Sequence, residues 1–289
     1  MIKLFACDLD GTLLNAFHRT DRVILDAVRE VTAAGARFAV ATGRNVVLPD
    51  DVGLGGTSTD IVCSNGSIVR DERGNLEALF AIDKAALEDL LTTLPEICFE
   101  CVTAGDILVR GSREQREAGF KRDNPVKRMI MRGMRAGIPR RAFLGGEMVF
   151  DRSVGEILEH DVCKVNCRIA DEALKRELYA YLDAHADAIV NAPFNPSMFE
   201  ITRSGVNKGA SIAWLARRHG IAEDEIAVYG DGGNDIVMLE RFEHAYATSN
   251  GSDDAKRAAG TVIGSCAFHA VPRHMVLTVR RERARTVIE

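Results

Sequence analysis

FACDLDGTLLN, residues 5 to 15, places two aspartates two positions apart, at the end of an apolar run and directly before Gly11 and Thr12. On a strand, positions i and i+2 face the same side. Asp8 and Asp10 therefore project together where the strand stops. Like charges that close repel and shift each other's pKa. A solvated loop after an edge strand is one explanation. The other is a carboxylate pair engaged in chemistry around a cation that offsets the repulsion.

Outward from this pair, IKLFAC (2–7), RFAVAT (37–42) and DIVCSN (60–65) read as short buried strands. Between the first two, Thr20 reads as a helix N-cap, with Ile24, Leu25, Val28 and Val31 on one face and Gly35 as the stop. Strand, helix and strand with short links form the βαβ unit of a parallel sheet. The pattern resumes late in the chain. Lys208 to His219 reads as a helix ending at Gly220, EIAVYG (225–230) as a strand and Gly233 to Phe242 as a helix. HAYAT (244–248) is another strand, and Asp253 to Ala259 a short helix. The expected fold is α/β, a Rossmann-like parallel core sheet formed by 1–82 and 193–289. A smaller α+β cap, 83–192, is inserted into it with strands that look half-exposed. Hinges are expected near Ile82–Asp83 and Asn191–Pro193, and the tail RRERARTVIE reads as a solvated end.

The bulk numbers exclude several classes. In 289 residues, hydrophobic types make up 46% and charged types 27%, an ordinary globular balance. A net charge of -5 gives no general case for nucleic acid or membrane as partner. The N-terminal residues reach acidic positions too soon for a secretory leader, and no apolar run is long enough to span a bilayer. Cytoplasmic location is the expectation, and seven scattered cysteines suit a reducing compartment. Cys98 and Cys101 with Cys163 and Cys167 have the count for structural zinc. Both pairs sit in strand-like apolar sequence without turn glycines, which favours the core. Residues 110–141 carry eleven Lys or Arg against three acids. They read either as a solvated helix and loop or as a positive lip for an anionic substrate.

Ligands of open α/β sheets bind at the carboxyl ends of strands. Asp8 and Asp10 follow the first strand, Thr42, Gly43 and Arg44 the second, and Asn65 the third. Lys208 opens the late helix, and Asp231, Asn234 and Asp235 in GDGGND follow EIAVY. Any one of these is weak, but their order, their strand-end positions and the long insertion are specific together.

DLDGT, ATGR, Lys208 in GVNKG, and GDGGND together resemble the four motifs of the haloacid dehalogenase superfamily of phosphatases. NGS at 65–67 and the place of the insertion resemble its Cof-type branch, whose cap is of class IIB. The resemblance implies a Mg²⁺-dependent phosphomonoesterase acting on a small phosphorylated metabolite such as a sugar phosphate. Asp8 would be the nucleophile of an aspartyl-phosphate. Asp10 would be the acid/base. Mg²⁺ would be held by Asp8, the backbone carbonyl of Asp10, and Asp231. Thr42 and Gly43 would bind phosphate oxygens, Lys208 would neutralise their charge, Asn234 would join the phosphate-binding group, and Asp235 would orient Lys208 or the metal's waters. Arg44 and Asn65 are expected either to reach the substrate beyond the phosphate or to serve as an ion pair and a turn residue. Cap closure would exclude water during the first step.

A phosphomutase and a phosphatase dedicated to one phosphosugar, such as a mannosylglycerate phosphate, are the nearest alternatives. A ligand sensor that keeps the site without turnover is a third. No GxxxxGK is present, which excludes a P-loop NTPase. Dehalogenase chemistry does not need the second aspartate, so Asp10 points to phosphate.

Overall fold

The structure, a computed structural model, describes residues 1–119, 146–193 and 198–286. The chain divides into two compact units. One combines Met1–Ala78 with Asn207–Glu289, and the other is Leu79–Val206.

The discontinuous unit is built on one sheet. Its early strands are β1 (Leu4–Cys7), β2 (Arg37–Ala41), β3 (Asp60–Cys63), β4 (Ile68–Arg70) and β5 (Leu76–Leu79). The inserted unit supplies β6 (Phe99–Val102), β7 (Ile107–Arg110), β8 (Met148–Val149), β9 (Lys164–Cys167), β10 (Ile189–Asn191) and β11 (Phe199–Arg203). The chain then returns with β12 (Ile226–Gly230), β13 (His244–Thr248) and β14 (Val262–Ile263). The core order is β14-β13-β12-β1-β2-β3-β4-β5. β14 through β3 pair in parallel, and β3 with β4 antiparallel. β1 lies between β12 and β2, with Leu4 opposite both Ile226 and Arg37. A strand covered on both faces needs a continuous apolar run rather than alternation, and every residue of LFAC is buried.

Helix Arg22–Ala33 buries Ile24, Ala27, Val28 and Val31. Its cap is Asp21, one residue beyond the expected Thr20. The Asp21 carboxylate accepts from the N–H groups of Val23 and Ile24, whereas Thr20 Oγ1 donates to the Val52 carbonyl. The tail is solvated as expected, with Arg280, Arg281, Arg283 and Ala284 exposed, and it is the end of a helix, Ala270–Thr286, whose earlier part packs on Arg22–Ala33 and buries Val271, Met275 and Val279. Its three anchors are four residues apart, a stripe thin enough to escape notice among arginines.

The inserted unit has its own sheet, β10-β11-β9-β6-β7-β8. One face carries Phe99, Cys101, Val165, Cys167, Phe199 and Ile201 in a core completed by Leu87, Leu90 and Leu91 of helix Lys84–Thr93 and by Leu178 and Leu182 of helix Glu172–Ala184. The other face carries Glu100, Asn166 and Glu200 in one cross-strand row. The central strands β6, β9 and β11 are buried, not half-exposed as expected, whereas β8 and most of β10 are half-buried as expected. The charges that suggested exposure are paired: Lys164 Nζ lies 2.9 Å from Glu200 Oε1, and Arg116 Nε 2.6 Å from Glu100 Oε1.

Both expected boundaries shift. The Ile82 N–H donates to the Val162 carbonyl at 2.8 Å, and its side chain joins the inserted unit's core. Asn191 pairs with Ile201 across the β10–β11 hairpin, so a boundary at 192/193 would cut a hairpin. The joints fall at 78/79 and 206/207. The proposed hinges at Ile82–Asp83 and Asn191–Pro193 therefore lie inside a packed unit. The basic segment 110–141 falls outside the described residues from 120 onward. Among the described residues, no helix is long and apolar enough to cross a membrane.

Candidate active site

Asp8 is the first residue past β1, and its N–H still donates to the Tyr229 carbonyl at 3.0 Å. The chain then curls tightly, with Leu13 N–H returning to the Asp8 carbonyl and Leu14 N–H to that of Leu9. Gly11, at φ +86°, makes the curl possible. A Cβ there would lie 2.3 Å from Asp231 Oδ2, so only glycine lets the turns after β1 and β12 approach. Thr12 Oγ1 donates to Asp231 Oδ1 at 2.9 Å, tying the two turns together.

Lys208 opens helix Lys208–Arg218, whose cap is Asn207 accepting from the Ala210 N–H. Its side chain is fully buried. Nζ lies 2.6 Å from Asp8 Oδ1 and 2.7 Å from Asp235 Oδ1. The second Asp235 oxygen accepts from the N–H groups of Asp231 and Gly232, both at 2.9 Å. Four expected residues are thus brought together: Asp8, Lys208, Asp231 and Asp235. Carboxylate oxygens of the three aspartates lie within 4.8 Å of one another. Among the described residues this is the one cluster suited to a metal, and all seven cysteines are free.

Three carboxylates face one ammonium. Burial, with repulsion from Asp235 and Asp231, pushes the Asp8 carboxyl well up against the pull of Lys208. Burial and the Asp235 charge push Asp231 up to about 7. Burial works against the charged form of Lys208, but Asp235 and Asp8 hold its pKa above the ordinary value. Asp8 Oδ2 is buried with no hydrogen-bond partner. An orphaned carboxylate oxygen in an over-acidic oxygen cluster fits a hard divalent cation, whose charge would push both carboxyls back down.

Asp10 stands beside this group in a different environment. Burial alone would raise its pKa, but hydrogen bonds from His18 and Arg44 outweigh it and hold it at about 2. Arg44 grips the carboxylate with two nitrogens, Nε at 2.7 Å from Oδ2 and Nη2 on Oδ1. Arg44 is therefore engaged with an active-site carboxylate, not placed as a surface pair. Thr42 is the first residue past β2, buried, with its hydroxyl accepting from the Arg44 N–H at 3.1 Å, and Gly43 lies between the two. Asn65 is buried too, and its Oδ1 accepts from Asn234 Nδ2 at 3.0 Å.

Sequence reasoning missed Thr12 and His18. Thr12 stood inside the quoted motif, where a hydroxyl beside a metal-ligand turn was a usable signal. His18 carried none, because its reach to Asp10 (Nδ1 to Oδ1, 3.2 Å) depends on how the loop folds.

A family model for haloacid dehalogenase-like hydrolases matches residues 5–275. Phosphatase YwpJ of Bacillus subtilis (strain 168) is 26% identical over 95% of this chain and 99% of its own. The Escherichia coli (strain K12) protein YbjI, a 5-amino-6-(5-phospho-D-ribitylamino)uracil phosphatase, is 24% identical over 91% of each chain. The solved structure of BT4131, described as a subclass IIB sugar phosphatase, aligns with TM-score 0.71 at 21% identity, covering 94% of this chain and 97% of its own.

Proposed function

The chain belongs to the haloacid dehalogenase-like hydrolase family and is a phosphatase of the Cof type, and on that premise we propose that it hydrolyses a small sugar or polyol phosphate with Mg²⁺ bound at Asp8 and Asp231. The observation that carries this reading is the Asp8 carboxylate, with one oxygen fixed by Lys208 and the other buried without a partner.

Asp8 attacks phosphorus as the bond to the ester oxygen breaks, giving an aspartyl-phosphate. Asp10 protonates the departing alkoxide and then takes a proton from the water that attacks the aspartyl-phosphate. That role requires Asp10 to leave its grip by Arg44, which holds it charged. A phosphate dianion competes for the same guanidinium, so arrival of substrate releases the Asp10 carboxylate, raises its pKa and lets it take up from solvent the proton that it then gives to the departing alkoxide. Lys208, already screened by Asp235, offsets the charge of the phosphoryl group. Thr42, the Gly43 N–H and Asn234 bind its oxygens. Asp8, Asp231 and the Asp10 backbone carbonyl would hold Mg²⁺, which would supply charge neutralisation when bound.

The substrate class is supported by the phosphoribityl compound named for YbjI and the sugar phosphatase activity named for BT4131. Seven free cysteines support a cytoplasmic location. The test is phosphate release from sugar phosphates, nucleotides, flavin mononucleotide and pyridoxal phosphate, with and without chelator. Turnover of sugar phosphates that survives chelator, or that persists in Asp8→Asn, would sink the proposal.

A further inference from the structure

The turn after β3 is strained and touches three others. Ser64 and Asn65 have φ of +51° and +58°. Two consecutive non-glycine residues in the left-handed region persist only where their surroundings dictate it. Those surroundings are the site. The Ser64 N–H donates to the Arg44 carbonyl at 2.9 Å and the Asn65 N–H to the Thr42 carbonyl at 3.0 Å. The Gly66 carbonyl accepts from Ser211 Oγ at 2.6 Å, on the first turn of the Lys208 helix. A Cβ on Gly66 would lie 2.4 Å from the Asn207 carbonyl oxygen and 3.0 Å from the Lys208 nitrogen. The Asn65 side chain, 2% exposed, holds the Asn234 amide at 3.0 Å. The remaining Asn234 oxygen is buried without a hydrogen-bond partner.

We propose that Asn65 is a positioning residue and not a substrate contact. It clamps the Asn234 amide, and its strained turn locks the Thr42 turn and the start of the Lys208 helix into one register. The inference rests on the phosphatase reading for its rate effects, but the clamp itself does not.

Glycine at 65 separates the two parts of the device. It relieves the left-handed backbone and removes the amide clamp. In Asn65→Gly, we expect the melting temperature to hold or rise while kcat for phosphate release falls by about 10²-fold, with KM changed little. Asn65→Asp keeps an acceptor for Asn234 and should recover most of kcat. Hydrogen exchange of the Asn234 side-chain amide gives a readout independent of turnover: slow in wild type, fast in Asn65→Gly, slow again in Asn65→Asp. A raised KM with kcat intact would make Asn65 a substrate contact and overturn the proposal. Parallel loss of kcat and melting temperature in both variants would reduce it to a structural turn. A protected Asn234 amide in Asn65→Gly would remove the clamp. Wild type inactive across the panel, with the amide behaving as expected, would count against the phosphatase substrate class and leave the clamp standing.

Discussion

Each unit buries a cluster of charges, and the two clusters are balanced differently. In the inserted unit, Lys164 answers Glu200 and Arg116 answers Glu100, one cation to each carboxylate. In the core unit, among the described residues, Asp8 and Asp235 pair with Lys208, and Asp231 stands in the same cluster without an ion pair of its own. Removing charges from water costs several kcal/mol per ion, and pairing offsets that cost only when it is complete. Among the described residues, each of these two carboxylates in the inserted unit has a cation beside it. Fully ionised, the core cluster would carry two negative charges beyond those that Lys208 offsets, and one divalent cation would match them.

That contrast can be broken by experiment. The largest effect should be on chemistry: Asp8→Asn should lower phosphate release by roughly 10⁴-fold or more. Its thermal stability should hold, because the change removes a charge that burial already disfavours. A fall in melting temperature would mean that the core cluster is balanced after all. Lys208→Met should destroy activity and also cost about 3–5 kcal/mol in urea unfolding, because it leaves buried carboxylates unpaired. Added Mg²⁺ should return part of that stability. Lys164→Met in the inserted unit should cost a similar ~3–5 kcal/mol, with no recovery in Mg²⁺. Replacing Glu200 by leucine in the same molecule should regain most of the loss. Equal rescue of both lysine variants by Mg²⁺ would erase the distinction.

The smallest effect is on pH dependence. The folded pKa of Asp231, about 7, exceeds its ordinary 3.8, so the folded state binds the extra proton between these values. In chelator, this carboxyl therefore makes stability fall as pH rises from about 4 to about 7. Asp10, held at about 2, works in the opposite direction lower down: its contribution is present above about 4 and is lost as pH falls toward 2. Melting curves in chelator should show the downward slope, and Mg²⁺ or Asp231→Asn should flatten it. A flat profile in chelator would argue against a strained, cation-deficient cluster.

Much of the core cluster was legible because its residues sit where an apolar run meets turn formers. LFAC before Asp8 and IAVYG before Asp231 are strands by composition, and the carboxylates follow at once. What is chosen between turns was not legible. Arg44 could serve substrate or a pair, and only the folded loops show it on Asp10. Asn65 could reach a ligand or serve as a turn residue, and only the folded turns show its Oδ1 accepting from Asn234. The boundary at 206/207 was missed because β11, FEITR, reads equally well as a strand of either sheet. The charges of Glu100, Lys164 and Glu200 suggested exposure because their pairing is cross-strand, and strand register is not written in any one segment.

β1, made well before β12, sits in the middle of the core sheet, and its neighbour on one side is β12. Residue 226 must be synthesised before that side can be covered. At about 5–20 residues per second, the nascent chain carries an all-apolar strand with an open hydrogen-bonding edge for roughly 10–45 s. Open apolar edges invite pairing with other chains. The inserted unit, whose strands are contiguous in sequence from β6 to β11, is free to fold during that interval. By residue 206 its described strands, β6 to β11, have all been made, so its apolar core can be buried while β1 still waits for β12.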